Sequence, residues 1–254
     1  MALESQGNDS EIKSEAIKKT STYKPYKLPF IIAPKKEVKH SATVIVLHGL
    51  GDSGRGFADH DNIGTYLPKK YPFVKWVFLT SSYIPITCNG KQACTGWYDI
   101  ISLVDRSKNT YEGKDKSFEY VSGIIEQEHS EHNIPYSRIL LLGFSQGAAM
   151  SVYTSLRFHK CLGGVVCLCG YNLDFGLHKE KSITDKATNL HILLCHSKFD
   201  PIVQLKYGEI LRDYLCKDMK FQHALWKATD VKGHTIDENI WTWVDEFIGK
   251  RFSV

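Results

Sequence analysis

Ile139-Leu140-Leu141-Leu142-Gly143-Phe144-Ser145-Gln146-Gly147-Ala148-Ala149-Met150-Ser151 is the stretch on which the fold turns. A short apolar run ending in glycine reads as a buried strand, and the small residues after it read as a helix packed closely on that strand. Between them, Gly143-Phe144-Ser145-Gln146-Gly147 fits the pattern G-x-S-x-G, a sharp strand-to-helix turn that exposes a serine hydroxyl at the strand end. The two glycines allow close approach of the neighbouring elements while the serine takes a strained conformation. Alone the string is short enough to arise by chance, with Ser145 then serving only as a helix cap, so its setting carries the weight.

On either side of this stretch the chain alternates short apolar runs with amphipathic ones. Strands are predicted at residues 43–47, 74–79, 138–142, 162–168, 190–195 and 221–226, with an edge strand near 30–33. Helices are predicted near 56–67, 116–132, 146–158, 205–218 and 236–251. Strands alternating with helices require crossover connections, hence an α/β fold with a mostly parallel central sheet and helices on both faces. Active groups in such sheets gather in loops at the carboxyl ends of the strands. Residues 81–95, rich in small and polar types, are expected to form a loop long enough to act as a lid or binding loop. Residues 1–22 lack periodicity and are expected to be a flexible tail, leaving one domain over 23–254.

The 254 residues are 43% hydrophobic and 24% charged, an ordinary globular composition. Net charge is +4, and +3 of it lies in the first 40 residues, so the body is nearly neutral and nucleic acid is not an expected partner. No stretch approaches the ~20 apolar residues of a membrane span, and the N-terminus has no apolar secretory core. Glu4, Asp9, Glu11 and Glu15 argue against a mitochondrial presequence, so a cytoplasmic location is expected. Seven cysteines without an export signal read as reduced thiols. Cys167 and Cys169 are expected to pack on one face of a strand, and with no C-x-x-C pair no metal or cofactor is called for.

A serine hydroxyl needs a neighbouring base, itself oriented by an acid, and in a G-x-S-x-G fold these follow in the order acid, then histidine. His159, His178, His191, His196, His223 and His234 lie downstream. Of these His234, in Lys232-Gly233-His234-Thr235-Ile236, falls in a carboxyl-end loop before the last helix and is the favoured base. Asp200 follows a strand by five residues and is the favoured acid over Asp174, Asp185 and Asp230, while Asp213 and Asp218 belong on a solvated helix face. Two N–H donors are needed for a tetrahedral oxyanion. Gln146 supplies the first from its backbone; Leu50, in the glycine-rich loop His48-Gly49-Leu50-Gly51-Asp52-Ser53-Gly54, is the choice for the second. That loop lacks the lysine and spacing of a phosphate or dinucleotide cradle.

With these residues in place, the chain resembles the acyl-protein thioesterase, lysophospholipase and carboxylesterase family of α/β-hydrolases. The likeness rests on His48–Gly54, on Pro85-Ile86-Thr87-Cys88-Asn89-Gly90 continuing to Gly96-Trp97-Tyr98-Asp99-Ile100, on Gly143–Ala149, and on Asp200-Pro201-Ile202-Val203 with Gly233-His234. It implies Ser145, Asp200 and His234 as a triad, the Leu50 and Gln146 N–H groups as an oxyanion hole, and no cofactor. It also implies that residues 81–95 help cover an acyl groove, which makes Ile84, Pro85, Ile86 and Trp97 the expected substrate-binding residues; Trp97 and Tyr98 read equally well as core aromatics. Family members usually carry glycine after the position of His196 and proline after that of Val203, where this chain has Ser197 and Gln204. Ala2 and the lack of any cysteine before Cys88 leave no site for lipidation of the tail.

The resemblance implies a serine hydrolase that removes long acyl chains from S-acylated proteins, in transient contact with a membrane surface. Lysophospholipids or small esters are the alternative substrates, and a non-enzymatic receptor is a further reading, because related folds can keep a triad and only bind. Oligomeric state is left open.

Overall fold

The computed structural model describes residues 26–173 and 189–253. The expected tail, together with His178, Asp174 and Asp185, lies outside the described residues. Among those described, the main sheet contains β1 (Lys27–Ile32), β2 (Ala42–Leu47), β3 (Val74–Thr80), β6 (Ile139–Phe144), β7 (Gly164–Leu168), β8 (Ile192–Phe199) and β9 (Ala224–Lys232). Their order is β1-β3-β2-β6-β7-β8-β9, and every neighbouring pair is parallel except β1 with β3.

Successive strand residues point to opposite faces, and both faces are covered, which is why the central strands read as unbroken apolar runs. Ile45, Leu47, Leu141, Val165 and Leu194 share one core with Val121 and Ile125 of α3 (Lys114–Ser130), Met150 and Val152 of α4 (Gln146–Arg157) and Leu211 of α5 (Leu205–Asp213). Val44, Val46, Leu140, Leu142 and Leu193 share the other with Phe57 of α1 (Gly54–Ala58) and Ile240, Val244 and Ile248 of α6 (Glu238–Phe252). The mostly parallel α/β sheet expected from the sequence is the sheet observed.

Three local expectations are corrected. Residues 81–95 are not a loop but a hairpin of β4 (Tyr83–Ile86) and β5 (Gln92–Thr95), with Ile84 and Ile86 buried and Tyr83 and Pro85 exposed. The expected helix over 56–67 is broken into α1, a π turn (Asn62–Tyr66) and α2 (Leu67–Lys70); Pro68, with no N–H for the Gly64 carbonyl, stands where the π turn passes into α2. β9 runs six residues beyond its predicted end, since as an edge strand it alternates exposed and half-buried positions and its second half reads as polar.

Candidate active site

β6 ends at Phe144 and α4 begins at Gln146, so a single residue makes the turn. Ser145 has φ 54° and ψ −115°, a strained conformation for a residue with a side chain, and its N–H donates to the Leu168 carbonyl 2.8 Å away. A Cβ on Gly147 would overlap the carbonyl oxygens of Leu47 and His48, and one on Gly143 would overlap Gly147 and Ala148. The turn therefore exists only with glycine at both positions. Gln146 opens α4, where first-turn N–H groups lack helical acceptors. Its side chain is committed elsewhere: Oε1 accepts from the Trp97 N–H at 2.9 Å and Nε2 donates to the Tyr98 carbonyl at 2.7 Å.

The glycine-rich loop after β2 is braced from behind. His48 is fully buried; its Nδ1 donates to the Gly49 carbonyl at 2.6 Å and its Nε2 accepts from the Ser81 N–H at 3.0 Å. Those two bonds require the neutral ring, and burial accordingly holds the His48 pKa below its usual value. Trp97 Nε1 donates to the His48 carbonyl at 2.9 Å, and the Gly51 N–H donates to the Thr95 carbonyl of the hairpin at 2.8 Å. The side chains of Leu50, Ile84 and Ile86 converge on the bare α-carbon of Gly96.

Asp200 lies just past β8 and is almost wholly buried. Its Oδ1 accepts from the N–H groups of Ile202 and Val203, both at 2.8 Å, and its Oδ2 accepts from His234 Nδ1 at 2.6 Å. Burial pushes this carboxyl up, but the bond and charge of His234 and the two backbone donors outweigh it and hold the pKa below the usual carboxylate range. Gly233, at φ 111°, turns the chain after β9 so that His234 faces Asp200, and the His234 ring lies 4.6 Å from that of Phe144. The Ser197 hydroxyl donates to the Thr235 carbonyl at 3.1 Å and so ties β8 to the His234 loop.

A cavity of about 190 Å³ has Ser145 and His234 in its wall together with Gly49, Leu50, Phe144 and Gln146, and is completed by Ile100, Leu103, Arg106, Tyr171, Ile202 and Val203. Ile84, Pro85, Ile86 and Trp97 are not in that wall. Ile86 and Trp97 are fully buried in the core and Ile84 nearly so, while Ile84 and Pro85 border a separate cavity with Asp99, Glu112 and Lys116. Ile84, Ile86 and Trp97 brace the glycine-rich loop: alternation along β4 turns both isoleucines inward, and Trp97 Nε1 donates to the His48 carbonyl, while Pro85 faces outward. The wall residues that the sequence reading did not name come from 100–106, from Tyr171 and from 202–203, segments outside the strands whose inward-facing positions follow no period.

Other histidines and acids considered from the sequence find different partners. His191 and His223 stack on each other at 4.2 Å, His159 meets Glu126, and His196 donates Nε2 to the Val203 carbonyl at 2.7 Å. Asp230 pairs with Lys198 at the surface, and Asp213 with Arg212 and Lys217. Cys169 falls just beyond β7, at φ 52°, and its Sγ, an Asp200 carboxylate oxygen and a His234 nitrogen all lie within 4.8 Å of one another. Burial pushes the Cys169 thiol up to about 12, so the sulfur beside Asp200 and His234 carries its proton in the free protein.

The profile of the phospholipase/carboxylesterase family matches residues 27–251. The chain belongs to the phospholipase/carboxylesterase family. It is 33% identical over 185 residues to acyl-protein thioesterase 1 of Schizosaccharomyces pombe, covering 73% of this chain and 80% of that protein. To acyl-protein thioesterase 1 of Yarrowia lipolytica it is 30% identical over 230 residues, covering 88% and 98%. Among solved structures it is similar to acyl-protein thioesterase 2 of Zea mays, with a TM-score of 0.73 and 26% identity over 89% of this chain and 99% of that one. As a member of the phospholipase/carboxylesterase family the chain is a serine hydrolase of α/β-hydrolase fold. No helix among the described residues is long and apolar enough to cross a membrane.

Proposed function

We propose that this enzyme cleaves long-chain acyl thioesters from S-acylated proteins through a covalent intermediate on Ser145. The observation that carries the reading is the convergence of Ser145 and His234 on one cavity while His234 Nδ1 is bonded to Asp200. Ser145 Oγ attacks the acyl carbonyl, and His234 Nε2 takes the hydroxyl proton. Asp200, ionised and held by two backbone donors, keeps the proton on Nδ1 and stabilises the imidazolium. The N–H groups of Leu50 and Gln146 receive the oxyanion; collapse of the tetrahedral species breaks the carbon–sulfur bond, and His234 returns the proton to the departing thiolate. Water then attacks the acyl-enzyme by the same route, releasing the fatty acid.

The thioesterase names of the two fungal relatives support an S-acylated substrate. A long chain is supported by the rim. The cavity is smaller than the ~300 Å³ at which ligand pockets usually begin, so a long chain must run out of it. Of the wall residues Ile202 is 46% exposed, and Ile101 and Val104, next in sequence to the wall residues Ile100 and Leu103, are 37% and 79% exposed, so the segments that build the wall carry apolar surface on which a chain can lie. Transient contact with the acylated membrane surface is part of the same reading. An oxyanion hole does not distinguish sulfur from oxygen leaving groups, so lysophospholipids remain the second reading. Turnover of acyl thioesters and lysophospholipids of matched chain length, from four to sixteen carbons and below their micelle concentrations, tests it. Thioesters favoured, with efficiency rising past eight carbons, support the proposal; a peak at four carbons overturns it.

A further inference from the structure

Arg106 has no part in the acyl-transfer chemistry, yet it is among the largest enclosed side chains of the protein, 2% exposed, and it stands in the wall of the cavity that holds Ser145 and His234. Its backbone is held firmly. Asp105 caps the short turn Arg106–Lys108, Asn109 donates to the carbonyls of Ser102 and Arg106 and accepts from the N–H groups of Ile101 and Ser102, and the Tyr207 hydroxyl donates to the Val104 carbonyl at 2.6 Å. The guanidinium carbon lies 3.7 Å from the centre of the Tyr171 ring and 5.0 Å from that of Tyr207. Aromatic faces attract a cation but do not accept its in-plane N–H bonds in the way a carboxylate does.

Nε and Nη1 of Arg106 are buried and make no hydrogen bond of good geometry, although the hydroxyls of Tyr111 and Tyr171 lie close to the guanidinium. Among the described residues no carboxylate forms an ion pair with it; its neighbour Asp105 turns outward to Ser107 and Lys108. Arginine cannot shed its proton as a buried lysine or histidine does, so the charge stays. A permanent cation kept dry and without a counter-ion costs stability, and its place is the reaction cavity. The group that answers it is an oxyanion, since the planar guanidinium matches carboxylate and phosphate. The transient oxyanion of the reaction is already received by backbone N–H groups, which leaves Arg106 for a charge the substrate carries throughout.

We propose that Arg106 is a specificity residue that binds a carboxylate or phosphate carried by the substrate close to its scissile acyl bond. The inference rests on the serine-hydrolase reading of Ser145. The anion has two sources, both belonging to the second, oxyester reading of the substrate and not to a plain fatty-acyl thioester: the leaving group, as with the phosphate of a lysophospholipid, or the acyl group, as with the free end of a dicarboxylic half-ester. The cavity then reads as two-sided, with Leu50, Ile100, Leu103 and Ile202 facing carbon and Arg106 fixing charge.

Two matched substrate pairs test this with the full chain: lysophosphatidate against the monoacylglycerol of the same acyl group, and a p-nitrophenyl dicarboxylate half-ester against its methyl ester. The readout is the ratio of kcat/KM, anionic over neutral, in the wild type, Arg106→Gln and Arg106→Lys. The wild type is expected to favour the anionic member of one pair at least about tenfold, a difference one charge-assisted bond supplies. That ratio should fall close to unity in Arg106→Gln and largely persist in Arg106→Lys, and the pair that responds names the source. A wild-type ratio of unity in both pairs overturns the inference without any variant. Equal losses on both members in Arg106→Gln, with the ratio kept, also overturn it by making the residue structural. If none of the four substrates turns over and a fluorophosphonate leaves Ser145 unlabelled, the serine-hydrolase reading itself falls and takes this inference with it.

Discussion

Asp200→Asn changes one atom, and the surroundings of Asp200 dictate the effect. Two backbone donors, from Ile202 and Val203, point at Oδ1, whereas Oδ2 meets the single nitrogen of His234. An asparagine there keeps its oxygen toward the two donors, because the flipped amide would leave both of those N–H groups buried without an acceptor, at about 1–3 kcal/mol each. Its NH2 then faces His234 Nδ1 and forces that nitrogen to accept, so the proton moves to Nε2, the atom that must take the Ser145 proton. The base is present in the wrong tautomer. In a serine-protease triad the same substitution lowers kcat by about 10⁴, equivalent to about 5.4 kcal/mol of barrier, and that is the loss expected here. The assay is thiol release from a soluble short-chain thioester at pH 7.5, with the tautomer read from the nitrogen shifts of His234. Folding should survive. Because the carboxyl pKa is held below its unfolded value of ~3.9, ionised Asp200 stabilises the wild type above that pH and ceases to as pH falls through the folded value. The melting-temperature gap between wild type and variant should therefore be modest at pH 7.5 and close in acid. A variant within tenfold of wild-type kcat, with His234 protonated on Nδ1, would refute the reasoning.

Gly147→Ala places a methyl group against the Leu47 and His48 carbonyls and should destabilise the protein by about 1–3 kcal/mol or more while abolishing turnover; unchanged melting and activity would mean the elbow tolerates a side chain. Burial lowers the pKa values of His40, His48, His191 and His196, so the unfolded chain binds more protons than the native one below ~6.5, and stability is lost as pH falls from there toward the folded values. Thermal melts between pH 7.5 and 5 should show a steady decline, and a flat profile contradicts it. Each methylene lying on apolar surface is worth up to ~0.8 kcal/mol, so four added carbons along the rim raise kcat/KM by up to about 200-fold. Ile202→Asn should flatten that rise, and an unaltered chain-length series would remove the rim from substrate binding.

Much of this molecule was readable before its structure because one physical rule governed it. Doubly buried strands must be apolar throughout, so β2, β3, β6, β7 and β8 announced themselves, and the turn at Ser145 carried its own glycines. Asp200 and His234 were legible as residues following strands, the positions where a parallel sheet exposes loops. The hairpin at β4 and β5 was missed since Pro85 interrupts a four-residue alternation too short to stand out among polar neighbours. Arg106 gave no signal at all: in Ser102-Leu103-Val104-Asp105-Arg106-Ser107-Lys108 it reads as one more charge on a surface loop, and only the packing of Tyr171 and Tyr207 around it makes it interior.

The central claim is that Ser145 carries the acyl group during turnover. Mixing enzyme with a long-chain acyl thioester, quenching in acid within milliseconds to seconds and mapping the protein by mass spectrometry tests it most directly. The account predicts an acyl adduct on Ser145, formed in a burst and lost at the rate of turnover, and no adduct in Ser145→Ala. Turnover with the acyl group on another residue, or an undiminished rate in Ser145→Ala, would contradict it.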